Sequence, residues 1–394
     1  MTKPRVFIAM HYMELGGAEA ALIGMLRAWD FSRADVDLFI FSHRGELMEY
    51  IPVEVNLLPQ KRAYSVIESP IRETLAKGCL GVAYGRWRGK REFSRKYAGA
   101  WNDSLYTYTG RNVIPHLPMM SRREYDLAIS FLTPHWPVIH KVKAHKKMCW
   151  IHTDYSSVPL DVDYELPMWG AFDLIASISP DVTRGFLSKF PSLEDRIVEI
   201  GNIMPVDLIR ERSREFVPDE FAPGMFNILT VGRFSHVKNL TKVPGIVKEA
   251  MRLSGRDDLV WHLIGYGPQE DAIRHAITEN GMDEHVKIIG KRSNPYPYIA
   301  ACDLYAQPSL FEGKSVTVRE AQALGRPVVI SDYPTSASQL DDGIDGKIVP
   351  LKNFAQGLAD IIADTGLRQK LIENCAVRDY SNRSEIDKIY SLLP

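Results

Sequence analysis

Two carboxylates with seven residues between them, Glu312 and Glu320, stand inside PSLFEGKSVTVREAQALGRPVVIS, residues 308–331. A carboxylate accepts hydrogen bonds from hydroxyls and repels phosphate, so each suits a sugar or a ribose. Between them come Gly313, Lys314, Ser315 and Val316. Gly313 leaves the backbone free to approach a ligand. Ser315 is a good N-cap for a helix over residues 316–324, which Gly325 stops. The start of such a helix has unpaired N–H groups and the positive end of a dipole, and anions bind there. Hydroxyl acceptors on both sides of an anion site suit a nucleotide sugar, its diphosphate on the helix end and one Glu for each sugar ring.

Two neighbouring stretches supply cations and open loops. In NILTVGRFSHVKNL, residues 227–240, an apolar strand ends in Gly232-Arg233 and a loop with Lys238 follows. In VWHLIGYGPQEDAIRHAI, residues 260–277, a strand, Gly265-Tyr266-Gly267 and a helix follow one another. Arg233 offers a planar fork for phosphate oxygens and Lys238 a compact charge. Either could be an ordinary loop cation; their place between two nucleotide-type loops favours phosphate. A further strand ends in Gly290-Lys291-Arg292.

Taken in order, these pieces resemble the family 4 retaining glycosyltransferases of GT-B fold. That family runs through a G-R loop with a following Lys, a G-x-G loop, a C-D or A-D strand, then P-S-x-x-E-G and a second Glu. Here they are Gly232-Arg233, Lys238, Gly265 and Gly267, Cys302-Asp303, Pro308-Ser309, Glu312-Gly313 and Glu320. The resemblance covers the C-terminal half closely and the N-terminal half loosely. It implies two Rossmann-like domains with a cleft between them and a C-terminal crossover helix. It implies a donor that is a nucleotide sugar, UDP-linked by preference. The acceptor is then a saccharide or lipid-linked saccharide in surface polysaccharide synthesis, and transfer retains configuration without an enzymic nucleophile.

Residue roles follow from the same resemblance. Arg233, Lys238 and the amides around Gly313, Ser315 and Val316 hold the leaving diphosphate, Glu312 the donor sugar and Glu320 the ribose. The loop at Arg292 touches the base. Gly16-Gly17-Ala18-Glu19 resembles the family's G-G-A/T-E loop, which reaches the donor phosphate and the acceptor; any tight turn from strand to helix could also use two glycines. His152, at the end of MCWIHTD, matches a His near the donor sugar and acceptor hydroxyl, where it orients hydroxyls, with Asp154 assisting. Lys314 departs from the family, where an aromatic or apolar residue is common; the cation leaves the donor sugar open. Cofactors are not expected. Two D-x-D sequences, Asp35-Val-Asp37 and Asp161-Val-Asp163, read as structural, and with Arg233 and Lys238 the leaving group needs no metal. An epimerase of the same fold acting on nucleotide sugars, or a non-catalytic nucleotide-sugar-binding protein, are the alternatives.

The elements that must position these residues form two α/β series. A chain of 394 residues exceeds one ordinary core. Residues 1–205 read as an N-terminal acceptor-side domain, 206–377 as the nucleotide-sugar-binding domain, and 378–394 as a helix returning to the first. Residues 202–225, with prolines at 205, 218 and 223, read as the linker and its flanks. Alternating strands and helices imply parallel sheets, which bind ligands at the carboxyl ends of their strands.

Net charge is −1, which gives no reason to expect nucleic acid as a partner. The four cysteines form no C-x-x-C pair and fit a reduced compartment. The opening MTKPRVFIAMHYMELGG reads as a strand and a Gly loop rather than a leader, and no apolar run is long enough to span a membrane. A cytoplasmic place is therefore expected. Charge is uneven, with 17 Lys and Arg against 7 Asp and Glu over residues 51–150. The densest part, Arg86, Arg88, Lys90, Arg91, Arg95 and Lys96 beside Trp87, Phe93, Tyr97 and Trp101, lies in an insertion over about 60–124 expected to be mostly helical. Two readings stand open for it: a solvated basic helix, or contact with an anionic membrane surface on the inner face of the cell.

Overall fold

A computed structural model describes residues 3–14, 16–98, 102–153, 155–156, 158–312 and 315–394. Asp154, Gly313, Lys314 and Trp101, singled out above, lie outside the described residues. The chain divides into two compact units, residues 1–205 with 382–394, and residues 206–381.

The first unit is built on seven parallel strands: β1 (Arg5–Met10), β2 (Asp35–Ile40), β3 (Asn56–Leu57), β4 (Glu124–Ser130), β5 (Lys143–Ile151), β6 (Leu174–Ser177) and β7 (Ile197–Glu199). Their order across the sheet is β3-β2-β1-β4-β5-β6-β7. The second unit has six parallel strands: β8 (Phe226–Val231), β9 (Leu259–Ile264), β10 (Val286–Gly290), β11 (Leu304–Gln307), β12 (Val328–Ser331) and β13 (Lys347–Val349). Their order is β10-β9-β8-β11-β12-β13. Every residue of β8 and β9 is buried, as a parallel sheet covered on both faces requires. In each sheet the order reverses beside the first strand, between β1 and β4 and between β8 and β11. Loops leaving the two strands at such a point diverge to opposite faces and open a crevice at their carboxyl ends.

The insertion between β3 and β4 is helical, with helices Arg62–Ser65, Ile71–Ala76, Leu80–Tyr97 and Leu105–Val113. The two longer ones cross closely. A Cβ on Gly85 would lie 2.5 Å from the Asn112 carbonyl oxygen, and one on Gly89 2.7 Å from that of Tyr108. These glycines, one turn apart, let the backbones meet. The basic run on helix Leu80–Tyr97 is less uniform than its composition suggests. Arg86 is buried, its guanidinium donating to the Val66 carbonyl and the Thr74 hydroxyl. Lys96 holds the buried Asp161 at 2.7 Å, and Phe93 is buried. Arg88, Lys90, Arg91 and Arg95 remain exposed, with Tyr84 and Trp87 among them.

Both D-x-D sequences have one acid turned inward. Asp37 accepts from Asn56 Nδ2 at 2.6 Å, the Tyr125 hydroxyl at 2.6 Å and Arg123 Nη1 at 3.2 Å. Asp161 accepts from Lys96, from the Tyr108 hydroxyl at 2.5 Å, and from the Tyr164 amide as N-cap of helix Val162–Trp169. Residues 202–225 are not wholly linker: helix Val206–Arg212 starts directly after Pro205. Residues 382–394 complete the first unit. The Asp30 amide donates to the Tyr390 hydroxyl at 2.5 Å, the Gly201 amide to Glu385 at 2.6 Å, and the Arg33 guanidinium lies 3.9 Å from the centre of the Tyr390 ring.

Candidate functional site

At the reversal point of the second sheet, three loops are tied together by their own backbones. The Gly232 amide donates to Ile264, the Phe234 amide to Tyr266 and the Gln269 amide to Phe234, at 2.8–3.0 Å. The glycines between them are forced. Gly265 has φ +148° and Gly267 φ +158°. A Cβ on Gly265 would lie 1.9 Å from the Gly232 carbonyl oxygen, and one on Gly267 2.4 Å from that of Phe234. The Gly232 loop is bound in turn to the loop after β11. Asn239, in the left-handed region at φ +58°, donates from Nδ2 to the Pro308 carbonyl at 3.1 Å, and the Leu310 amide donates to Val237 at 2.7 Å.

This framework joins Lys238 to Glu312. Lys238 Nζ lies 2.7 Å from Glu312 Oε1, and both side chains are mostly buried. The same oxygen accepts from the Ser309 hydroxyl at 2.6 Å and from Gln307 Nε2 at 3.0 Å. The Thr335 hydroxyl donates to the Glu312 carbonyl at 2.6 Å. Arg233, at the end of the Gly232-Arg233 pair, is exposed. One cation of the pair is thus built into the site through a carboxylate, and the other is presented to solvent.

Ser315 occupies the N-cap position of helix Val316–Ala323, but its side chain caps nothing. Its hydroxyl donates to Gln307 Oε1 at 3.2 Å, and its amide donates to Gln339 Oε1 at 2.6 Å. The expected side-chain cap is absent: the hydroxyl is turned toward Gln307 instead. Among the described residues the first N–H groups of the helix, starting at the exposed Val316, have no side-chain cap.

Glu320 lies on the buried side of this helix. Burial pushes its carboxyl up to about 7, with the Tyr296 hydroxyl, 3.2 Å from Oε1, and the Arg212 charge opposing. Arg292 is engaged elsewhere: it donates to Glu220 at 2.9 Å and to the Tyr298 hydroxyl at 3.1 Å. The structure thus brings Lys238 and Glu312 together and sets Ser315 beside Gln307. It leaves Arg233 open and pairs Arg292 with a side chain from residues 202–225.

The reversal point of the first sheet is built differently. Gly16 precedes helix Gly17–Ala28. The buried Glu19 turns back so far that a Cβ on Gly16 would meet its carboxylate. Burial raises the Glu19 carboxyl, against the pull of its own backbone amide and of His11. His152 follows β5 and packs on Phe131 with ring centres 4.8 Å apart. Burial pushes its imidazole down to about 4, the Phe131 backbone opposing. Two further histidines come to the same end of the sheet. His11, after β1, lies 2.5 Å from Glu68 Oε1 through Nδ1, and His135, after β4, contacts the Ser130 hydroxyl at 2.8 Å. Burial holds His135 well below the usual range, and the neighbouring His11 and His152 add to this. His11 Nε2, His135 Nε2 and both ring nitrogens of His152 are buried without a partner among the described residues. Sequence reading found His152 and missed His11 and His135. The available signal was a polar residue ending, or lying just beyond, an otherwise apolar strand. Among the described residues no three His, Cys, Asp or Glu side chains are grouped to hold a metal ion.

Residues 212–378, nearly the whole second unit, match the family described as glycosyl transferases group 1. Over 203 residues the chain is 33% identical to the N-acetylgalactosamine-N,N'-diacetylbacillosaminyl-diphospho-undecaprenol 4-alpha-N-acetylgalactosaminyltransferase of Campylobacter jejuni, covering 50% of this chain and 53% of that one. It is 27% identical over 172 residues to the lipopolysaccharide core biosynthesis glycosyltransferase LpsE of Rhizobium meliloti, covering 42% and 49%. The chain spans about half the length of the curated relatives it matches. The crystal structure of Anabaena HepE in complex with UDP-glucose superposes with a TM-score of 0.65 at 17% identity, over 99% of this chain and 100% of that one. The two Rossmann-like units are those of the GT-B fold.

Proposed function

We propose that the protein is a retaining, metal-independent glycosyltransferase that takes a sugar from a nucleotide-sugar donor, UDP-linked by preference. The acceptor is a saccharide on a lipid diphosphate, in surface polysaccharide synthesis. The observation that carries this reading is the convergence of Lys238, Glu312 and the uncapped start of helix Val316–Ala323 at the carboxyl ends of β8 and β11, inside the segment matched as glycosyl transferases group 1.

Charge grows on the diphosphate as the sugar leaves. Fixed cations and aimed N–H groups stabilise it without reorganising, a contribution typically of several kcal/mol. Lys238, Arg233 and the Val316 amide take that role, and Gly313 and Lys314, their neighbours in sequence, belong to the same proposed set. Ser315 contributes by geometry rather than by a free amide, since Gln339 already holds its N–H. Glu312 receives hydroxyls of the donor sugar and Glu320 those of the ribose. Gly265 and Gly267 keep the neighbouring loop flat enough for a nucleotide to lie against it. His152, neutral at physiological pH, orients an acceptor hydroxyl as a hydrogen-bond partner, and the turn at Gly16 and Gly17 lets the backbone approach a ligand.

The relatives support the acceptor class, since the Campylobacter enzyme's name specifies a diphospho-undecaprenol saccharide. No helix among the described residues is long and apolar enough to cross a membrane. We place the protein on the inner face of the cell membrane through helix Leu80–Tyr97, where Arg88, Lys90, Arg91 and Arg95 surround the exposed Tyr84 and Trp87.

The test is a calorimetric panel of UDP-, GDP- and ADP-sugars, then incubation of the tightest binder with an undecaprenyl-diphosphate saccharide. Transfer with retained anomeric configuration is the expected outcome. Isomerised donor without acceptor would turn the assignment to an epimerase, and binding without turnover to a non-catalytic binding protein.

A further inference from the structure

The Glu312 carboxylate is unevenly used. Its Oε1 receives three donors: Lys238 Nζ at 2.7 Å, the Ser309 hydroxyl at 2.6 Å and Gln307 Nε2 at 3.0 Å. Among the described residues no donor reaches Oε2. Among these residues one oxygen is saturated and the other has no donor.

Gln307 is the fully buried last residue of β11. A Gln side chain can flip by half a turn, which would present a carbonyl oxygen to Glu312 and repel it. Its surroundings decide the matter. Gln307 Oε1 accepts from the Ser315 hydroxyl at 3.2 Å and lies 3.3 Å from the Tyr305 hydroxyl. The Tyr305 hydroxyl also donates to Thr317 Oγ1 at 2.8 Å. The Glu312 carboxylate only accepts, so the N–H end must face it, and the Ser315 and Thr317 hydroxyls can turn to donate to the oxygen end. The network runs from the floor of the sheet, through the start of helix Val316–Ala323, to the carboxylate. The buried Tyr333 hydroxyl, without a partner among the described residues, is a further neighbour of Glu312.

We infer that Gln307 is a positioning residue: by donating to Glu312 Oε1 it fixes the carboxylate's rotation and leaves Oε2 as the oxygen that binds the donor sugar. This rests on the assignment of Glu312 to the donor sugar. It adds a residue that touches no ligand and acts through Glu312. It also couples sugar recognition to the helix start, because the hydroxyl that fixes Gln307 belongs to Ser315.

The experiment measures Kd for UDP and for the tightest-binding UDP-sugar by calorimetry, in wild type, Glu312→Gln, Gln307→Met and Gln307→Glu, from pH 5 to 8. Thermal unfolding monitors the fold of each. In Gln307→Met, UDP should bind within about twofold of wild type while the sugar-dependent gain in affinity falls about tenfold, as in Glu312→Gln. Gln307→Glu sets two carboxyls against each other, which raises one pKa. Protonated at low pH, the new acid donates to Oε1 and the sugar-dependent gain approaches wild type; ionised, it repels Glu312, and the gain disappears as pH rises. A merely structural role would not produce that restoration. If Glu312→Gln loses the sugar-dependent gain while Gln307→Glu keeps it at every pH, the positioning role is overturned and the donor-site assignment stands. If Gln307→Met does not fold, Gln307→Glu decides alone. If wild type binds neither UDP nor any UDP-sugar, or Glu312→Gln binds both as wild type does, the donor-site assignment falls and this inference with it.

Discussion

The two sheets share one strand order around their reversal points, yet those points carry opposite chemistry. In the second unit the crevice has an exposed Arg233, a Lys238 coupled to Glu312 and a helix start without a side-chain cap. In the first unit the corresponding end of the sheet gathers three histidines, each with at least one buried nitrogen that has no partner among the described residues, and a buried acid over the helix start. The first arrangement suits a polyanion. The second suits a neutral, hydroxyl-rich group, since burial keeps His135 and His152 uncharged. One topology hosts both because topology fixes only where loops open, and the loop residues fix what they hold.

The contrast is broken most directly by removing the cations. Arg233→Ala and Lys238→Ala should each lower turnover at least about a hundredfold with the fold intact, since the proposed role of both is to face charge that develops only in the transition state. Lys238→Ala should be the worse of the two, since it also removes a partner of Glu312. Steady-state kinetics with thermal unfolding checks this; wild-type rates in both variants would take the cations out of the mechanism.

A smaller effect, of up to about tenfold per pH unit, should come from Glu320. Its folded carboxyl titrates at about 7, above the ordinary value of 4.5. The folded state then holds its proton more tightly than the unfolded state. Stability from this group is complete below pH 4.5 and is lost as pH rises through 7. Hydroxyls of a ribose donate to the ionised form, so nucleotide affinity should increase from pH 6 to 8. Glu320→Gln should flatten both profiles. Calorimetric titrations and melting curves across that range test the pair.

The helical insertion should give a change of a few-fold. Replacing Arg88, Lys90 and Arg91 by Ser should weaken binding to phosphatidylserine vesicles, more at low salt, and leave donor binding unchanged. Lys96 and Arg86 are excluded, because they hold Asp161 and the Thr74 turn. Wild-type protein that ignores such vesicles at low salt would make the helix a solvated surface. The smallest effect is expected from EDTA, which should leave the rate unchanged within error; a loss restored by magnesium would show that Arg233 and Lys238 are not enough.

How far these features could be read in advance followed the range of the interactions. Gly265, Gly267 and Lys238 were legible because a turn between strand and helix is local and only certain residues fit it. Glu312 was legible through the residues around it. Gln307 was not: its role depends on side chains at 305, 312, 315 and 317, gathered only when β11 and the following helix are in place. His11 and His135, 124 residues apart, follow strands that are neighbours only through the β1–β4 pairing. Helix Val206–Arg212 was hidden by Pro205, read as a breaker although a proline is tolerated where a helix begins. The basic run misled in part, because composition does not separate a buried arginine from an exposed one.

The tail has a consequence for biogenesis. Residues 382–394 finish the first unit, so the second is, in topological terms, an insertion within the first. During synthesis the ribosome delivers residues 1–205 early, yet the contacts of Tyr390 with Asp30 and Arg33 must wait until residue 390 has emerged. Residues 206–381, by contrast, form one continuous compact unit that is complete in the chain before residue 382. Once folded, they replace a long flexible loop by a rigid body of fixed span, which reduces the entropy lost when the tail docks. The unit that begins the chain is therefore among the last parts to be sealed.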